Sequence, residues 1–285
     1  MRLTNPVTGI NGVYPDSTAS AAIQNNRRIH GFLATYSNAA SRAAARPATQ
    51  AEIEADLGEF RLMANGKPLR RALVSELHKI NALNGLAFRA GQVLVQFSDP
   101  KRRTPDGEEW GAFSAFGIPG ITVEFDIKST AVGPALSLDC EYDFVPDKNR
   151  GFIVWEKRTI VSPTAGDDYD LNDLIRAGAY SRIHLFTDKI SRVRAQIDDA
   201  DMHDRTPEKI AAFLAKHGLT VQAGTTPVVF DYTQQISDAL DMTRLINGVA
   251  TPVNSFNVKI THTAGVATYP VISERLVKDV AAQIA

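Results

Sequence analysis

The sequence predicts an all-β chain in two consecutive sandwich units, with a few short helices. Three observations predict it. Short runs of alternating apolar and polar residues recur along the 285 residues, each bounded by Gly, Pro, Asn or Asp. These runs fall into two sets with a common rhythm: several strands, one helix, then more strands. Between the sets lies Lys128–Ala135, KSTAVGPA, a short stretch of small residues with a Gly-Pro pair. The boundary is placed there, giving residues 1–130 and 131–285.

Residues 1–20 are rich in Asn, Gly, Pro, Ser and Thr and read as an arm with little structure of its own, either frayed or laid on a neighbouring subunit. Ile29–Tyr36 alternates as a strand. The Ala-Arg run Ser41–Arg46 reads as a helical turn ended by Pro47. Leu57, Phe60, Leu62 and Ala64 then mark a half-buried strand. Asn65-Gly66 follows, the dipeptide that most readily takes the positive φ angles of a two-residue hairpin turn. Leu69–Asn84 reads as a helix, with Leu73, Leu77, Ile80 and Leu83 on one face and Asn84-Gly85 closing it. Strands follow within Leu86–Phe97 and at Ile121–Ile127. Between them Lys101, Arg102 and Arg103 form a basic loop ending in the turn signal Thr104-Pro105-Asp106-Gly107.

In the second set, Leu136–Val145, Gly151–Val161, Arg182–Thr187 and Val228–Tyr232 read as strands, and Ala165–Asp173 as an acidic loop. Arg192–Met202 reads as a strand running out into a loop. Pro207–Gly218 is a helix, with Thr206 as N-cap, Pro207 at its first position and Ile210, Phe213 and Leu214 on its apolar face. Ser255–His262 alternates, and Thr268–Ile272 is expected to pair with it across Ala264-Gly265. Glu274–Ala285 is helix-compatible. Two units of roughly 130–150 residues each match a jelly roll, eight strands in two facing sheets.

Composition narrows the function. Hydrophobic residues make up 44% and charged residues 22%, with a formal net charge of -1. That balance carries no signature of a nucleic-acid or membrane-surface protein. No apolar stretch approaches the ~18 residues of a membrane span. The N-terminus lacks the order of a signal peptide, which points to synthesis in a cytosol. The single cysteine, Cys140, excludes an internal disulfide, a cysteine zinc cage and a CxxC motif, and reads as a small buried side chain.

Candidate chemistry is sparse. Glu124, Asp126 and Lys128 resemble the strand end of a metal-dependent nuclease, where carboxylates hold magnesium and a lysine faces the attacking water. Trp110 and Trp155 are candidate stacking platforms of a carbohydrate-binding sandwich. Asp198, Asp199, Asp201 and Asp204 form a carboxylate-dense stretch that suits a structural calcium ion, and Asp167, Asp168, Asp170 and Asp173 form another. His30, His78, His184, His203, His217 and His262 show no paired spacing, and none of the common nucleotide, hydrolase or metalloprotease motifs occurs. The sequence therefore reads as non-enzymatic, with a nuclease or a carbohydrate-binding module as alternatives.

The stretch RLMANGKPLRRALVSELHKINAL, followed by AFRAGQVLVQFSDPKRR and ITVEFDI, resembles the N-terminal half of a corticovirus-type major capsid protein. What matches is the order of a strand ending in Asn-Gly-Lys, a helix, a strand ending in Asp-Pro-Lys-Arg, and an acidic strand beyond a Gly/Pro corner. The resemblance covers roughly residues 29–127; beyond it the match is one of architecture. It implies a tandem double jelly roll and a homotrimer that packs with neighbouring capsomers and a penton or vertex protein. It also implies a virion shell over an internal membrane, with no specific nucleic acid bound.

Overall fold

The computed structural model describes residues 2–99, 110–144, 151–166, 168–263, 265–278 and 283. The chain divides into two units: residues 1–82 and 86–155 with the C-terminal end, and residues 156–277 with 83–85.

The first unit contains β1 (Leu3–Pro6), β2 (Ser17–Ala22), β3 (Arg28–Ser37), α1 (Ala39–Ala43), α2 (Gln50–Asp56), β4 (Leu57–Ala64), β5 (Lys67–Leu73), α3 (Val74–Leu83), β6 (Gln92–Gln96), β7 (Phe113–Ser114), β8 (Ile121–Ile127) and β9 (Ala135–Asp143). One sheet runs β1-β9-β3-β6, with β7 added beside β3; the other runs β2-β8-β4-β5. Setting β7 aside, the eight strands lie in the order first-eighth-third-sixth and second-seventh-fourth-fifth, the jelly-roll arrangement. Strand alternation decides which side chains turn inward. In β8, Ile121, Val123, Phe125 and Ile127 are buried, while the residues between them are not. Phe60 of β4 meets Phe125 across the sheet, ring centroids 5.3 Å apart. Phe97, Phe113 and Phe152 close the opposite side of the core.

The second unit contains β10 (Phe152–Ile160), β11 (Asp168–Leu171), β12 (Ala179–Leu185), β13 (Ile190–Ile197), β14 (Ala200–Arg205), α4 (Pro207–Lys216), β15 (Thr226–Val229), β16 (Leu240–Asp241), β17 (Thr243–Ile246), β18 (Val249–Pro252), β19 (Phe256–His262) and β20 (Tyr269–Val277). Its sheets run β10-β20-β12-β15, with β16 on β12, and β11-β19-β13-β14. Leaving out β16–β18, this is the same strand order. Tyr180, Ile183, Val193, Phe256, Val258 and Ile260 lie in its core. Each unit carries its long helix, α3 or α4, between the fifth and sixth of its eight strands, so the common rhythm of the two halves is real.

The structure corrects several expectations. The boundary does not lie at residues 130/131. Lys128–Ala135 is a tight connection inside the first unit, pinned by Lys128 N–H donating to the Asp56 carbonyl, and β9 beyond it lies between β1 and β3. The chain leaves the first unit near Trp155, within β10. Residues 1–20 are not an unstructured arm, because β1 and β2 are the outer strands of the two first-unit sheets. Residues 69–73 belong to strand β5, and the helix starts at Val74. The Glu76 carboxylate accepts from Leu73 N–H at 2.7 Å there, and Leu73, next on the strand after buried Ala72, turns outward and is 39% exposed. β19 and β20 do not pair with each other but sit in opposite sheets. Residues 274–277 continue strand β20 rather than starting a helix. Arg192–Met202 is most of a hairpin, β13–β14, and the acidic Ala165–Asp173 stretch contains β11. The basic loop Lys101–Arg103, its Thr104–Gly107 turn and most of the C-terminal tail lie outside the described residues.

The Asn65-Gly66 hairpin is present as expected. β4 pairs with β5 across Asn65 (φ 49) and Gly66 (φ 74), both left-handed as a type I′ turn requires. A Cβ at Gly66 meets open space. The cost of Gly66→Val is therefore purely conformational, about 1–2 kcal/mol. Leu77 and Ile80 of α3 are buried. Leu77→Ala should cost about 2–5 kcal/mol by leaving a cavity, clearly more than the turn variant. Chemical denaturation of both variants checks this ranking; equal losses would mean that Leu77's site collapses around the smaller side chain.

Candidate assembly surface

Glu124 and Asp126 project from β8 and converge on Arg61 of the neighbouring strand β4. The Arg61 Nε donates to Glu124 at 3.0 Å, and its two terminal nitrogens donate to the Asp126 carboxylate at 2.8 and 2.5 Å. Burial raises the Asp126 pKa, but the Arg61 bonds, helped by Thr18, outweigh it and hold the carboxyl below its usual range. Lys128 turns away and donates to the Glu54 carbonyl at 2.7 Å. The arrangement is a cross-strand ion network in which Arg61 occupies both carboxylates, leaving no open pair to receive a magnesium ion, and the nuclease alternative ends here. Trp155 is buried and lies beneath the Arg70 guanidinium, 5.1 Å from ring to carbon, so it is core and not a sugar platform. Trp110 is half-buried. Burial pushes the Cys140 thiol up to about 12, which makes it inert as a nucleophile.

The acidic stretches lie on and around strands β11, β13 and β14. Asp198 (φ 46) and Asp199 (φ 65) form the left-handed turn between β13 and β14. The Asp198 carboxylate accepts from Ser255 N–H at 2.8 Å and pairs with Arg244. Asp201 accepts from Gln196 at 2.7 Å. Asp204 lies farther along β14 in a bidentate pair with Arg192, at 2.6 and 2.5 Å, which holds its carboxyl below the usual range. Strand pleating and separate partners disperse the four carboxylates. In the other stretch, Asp168 is bound by Thr261 and Arg194, and Asp173 by Arg158; Asp167 lies outside the described residues. Among the described residues no three His, Cys, Asp or Glu side chains converge on one point.

What the structure does bring together is a duplicated buried feature that the sequence reading missed. Arg-Ile-His stands at the start of β3, Arg28-Ile29-His30, and again in β12, Arg182-Ile183-His184. In both units this is the third of the eight strands, and the arginine sits opposite an acid on the eighth: Asp143 on β9, Glu274 on β20. His30 Nε2 lies 2.9 Å from the Asp143 carboxylate, and His184 Nε2 2.7 Å from Glu274. All six side chains are buried. Arg28 donates to Asp143 at 3.0 Å, whereas Arg182 donates to Asp231 at 3.1 Å. A tripeptide repeat about 150 residues apart was the available signal. It carries no chemistry at the surface; it locks the two central strands of one sheet in each unit.

Both halves of the chain match models of one family: the viral coat protein P2 N-terminal domain over residues 4–143, and the P2 C-terminal domain over residues 157–278. The chain belongs to the viral coat protein P2 family. It is thus a structural, non-enzymatic component of a virion shell, and the two domain matches straddle the boundary seen at Trp155. A comparison with curated protein sequences found no match. Solved structures share the fold at low identity. The major capsid protein P2 of bacteriophage PM2 superposes with a TM-score of 0.82 at 18% identity, covering 97% of each chain. The STIV MCP gives 0.67 at 12% identity over 100% and 99%, and the PBCV-1 virus capsid 0.58 at 9% over 97% and 93%. The double jelly roll expected from the sequence is the fold these proteins share.

For a coat protein the functional surface is whatever lies outside the sandwiches. In each unit the ends of the barrel are built differently. One end of the first unit carries α1, α2 and α3. Asn38 caps α1 and Thr49 caps α2, each in a reciprocal capping box. Arg46 clamps Glu52 at 2.7 and 2.6 Å. The other end carries the Asn65-Gly66 turn, the β7 connection and the exposed rings of Phe116 and Phe144. In the second unit, the β17–β18 hairpin grows from the connection between the sixth and seventh of the eight strands.

Proposed function

We propose that this chain is the major capsid protein of an icosahedral virus, assembled as homotrimers that tile the shell as pseudo-hexagonal capsomers. The observation that carries the reading is the repetition of one eight-strand order twice in a single chain. Three such chains around an axis present six similar barrels, so a trimer fills a six-neighbour position from one gene. The corticovirus resemblance adds neighbouring capsomers, a separate vertex protein at the five-fold corners and an internal membrane beneath the shell. Among the described residues no helix is long and apolar enough to cross a membrane. Membrane proximity on this reading comes from surface contact or from other proteins of the particle.

Light scattering on the purified protein tests the proposal. The expected mass is about three times the 31.0 kDa of one chain, with hexagonal outlines by electron microscopy. A strictly monomeric species at all concentrations, with no ordered assemblies on the grid, would end the trimer reading.

A further inference from the structure

The β17–β18 hairpin forms a two-stranded sheet of its own, outside both sandwich sheets. Its root is fixed: Met242 and Val253 are buried, Met242 N–H donates to the Gly178 carbonyl at 2.9 Å, and Val253 N–H to the Met242 carbonyl at 3.0 Å. Arg244 ties the first strand to Asp198 at 2.9 Å. Beyond the root the ribbon stands in solvent. Ile246 pairs with Val249 on one face and Leu245 with Ala250 on the other. Leu245 is 78% exposed, Ile246 53% and Val249 65%. A two-stranded ribbon is marginal by itself in water, and this one shows apolar side chains on both faces. Such a surface marks a docking element.

We propose that this hairpin is an assembly arm that seats on a second copy of the chain, against the patch formed by Phe116 and Phe144 on that copy's first unit; the proposal rests on the assembled-ring reading above. Phe116 and Phe144 are 50% and 57% exposed. Both stand at the same end of the first unit: Ser114 and Asp143 lie opposite Arg28 from the two sides of β3, and the rings follow them. The Phe144 ring packs on Tyr142, centroids 5.2 Å apart, and the Arg27 guanidinium covers that tyrosine at 3.9 Å. The charges complement. With Arg244 paired to Asp198, exposed Asp199 and Asp241 leave the arm acidic, whereas with Arg2 4.0 Å from Glu141 and Arg28 paired to Asp143, half-buried Arg27 leaves the patch basic. The same acids disfavour an anionic lipid surface, which calls for basic residues beside an apolar tip. The arm's ten residues are between a third and a half of the roughly 20–30 that a stable interface places on one side. It is therefore a substantial part of an interface and not its whole.

Two variants and one cross-link test this. Ile246→Asp should keep the wild-type circular dichroism and melting temperature, because the side chain has no role inside the unit, yet shift the trimer toward monomer at least tenfold in concentration. The Ile246→Cys/Phe144→Cys double variant should give covalently linked copies on oxidation, with native Cys140 buried and silent, while either single variant gives none. A trimeric wild type whose Ile246→Asp variant stays trimeric overturns the arm and leaves the ring intact. Links from Ile246→Cys alone overturn it in favour of hairpin-to-hairpin pairing. Flotation with neutral or anionic vesicles that is lost in Ile246→Asp, with the trimer unchanged, overturns it in favour of lipid. A monomeric wild type that still gives the double-cysteine link overturns the ring and keeps the arm; without the link both fall.

Discussion

Asp231→Ala should be the most damaging single substitution in the second unit, costing about 3–5 kcal/mol. Asp231 follows β15 and is fully buried. Its carboxylate accepts from the Ser181 hydroxyl at 2.7 Å and from Arg182 Nε at 3.1 Å. Removing it takes a counter-charge from the buried Arg182 guanidinium, and the desolvation cost of that cation is then less well offset. Asp231→Asn keeps the shape and an acceptor for Ser181 but removes the charge, so it should fall between wild type and Asp231→Ala. Denaturant titration of the three proteins gives the ranking. An Asp231→Asn variant as unstable as Asp231→Ala would mean that the charge, and not the hydrogen bonding, carries the whole effect. A loss under 1 kcal/mol for Asp231→Ala would show that Arg182 is satisfied without it. On the capsid reading, that unit fails to assemble if it is partly unfolded, so particle yield should follow the same order.

The fold was legible where local chemistry decides it. Asn65-Gly66 had to be a two-residue turn because few other residues accept two consecutive positive φ angles. Thr206-Pro207 had to open a helix, and α4 begins at Pro207 as read. Legibility failed where tertiary context decides. Leu69, Leu73 and Leu77 sit at helical spacing, yet Leu69–Leu73 is strand, because β5 pairs with β4 and buries Leu69 and Ala72 on the sheet. Lys128–Ala135 has the composition of a linker because a tight crossing between two sheets needs the same small residues as a linker does. The true passage between units, near Trp155, runs inside the continuous strand β10 and carries no Gly, Pro or turn residue to mark it. The nuclease candidate failed for one further reason. Short motifs such as Glu124–Lys128 record residue types but not partners, and Arg61, sixty residues upstream, is what closes that site. The Arg-Ile-His repeat was present in the sequence, but its meaning depends on Asp143 and Glu274, each about 90–115 residues away.

Acid should destabilise the second unit well before the carboxylates titrate, and His203 should be the main cause. His203 is buried on β14, its ring centroid 6.4 Å from that of Phe230, and its Nε2 has no hydrogen-bond partner. Burial, reinforced by the nearby Arg205 charge and only partly opposed by Asp204, pushes its pKa from 6.5 down to about 4. The folded pKa is thus below the unfolded one. Below pH 6.5 the unfolded chain takes up the proton first, so stability is complete above that value and declines as pH falls toward 4. The full span corresponds to about 3 kcal/mol, or roughly 10–13 °C in melting temperature for a unit of this size. His262 is lowered in the same direction by burial and adds to the slope. Asp126, Asp168 and Asp204 are also depressed, but their contributions are lost only below the ordinary carboxylate range, which separates the two windows. His203→Phe puts a ring of similar size beside Phe230 without a titrating nitrogen. Its melting temperature should change much less than that of wild type between pH 7 and pH 4.5, with His262 supplying the remainder. Wild type and His203→Phe losing stability in parallel over that interval would show that the folded chain protonates His203 as readily as the unfolded chain does, and the His203 account would fall.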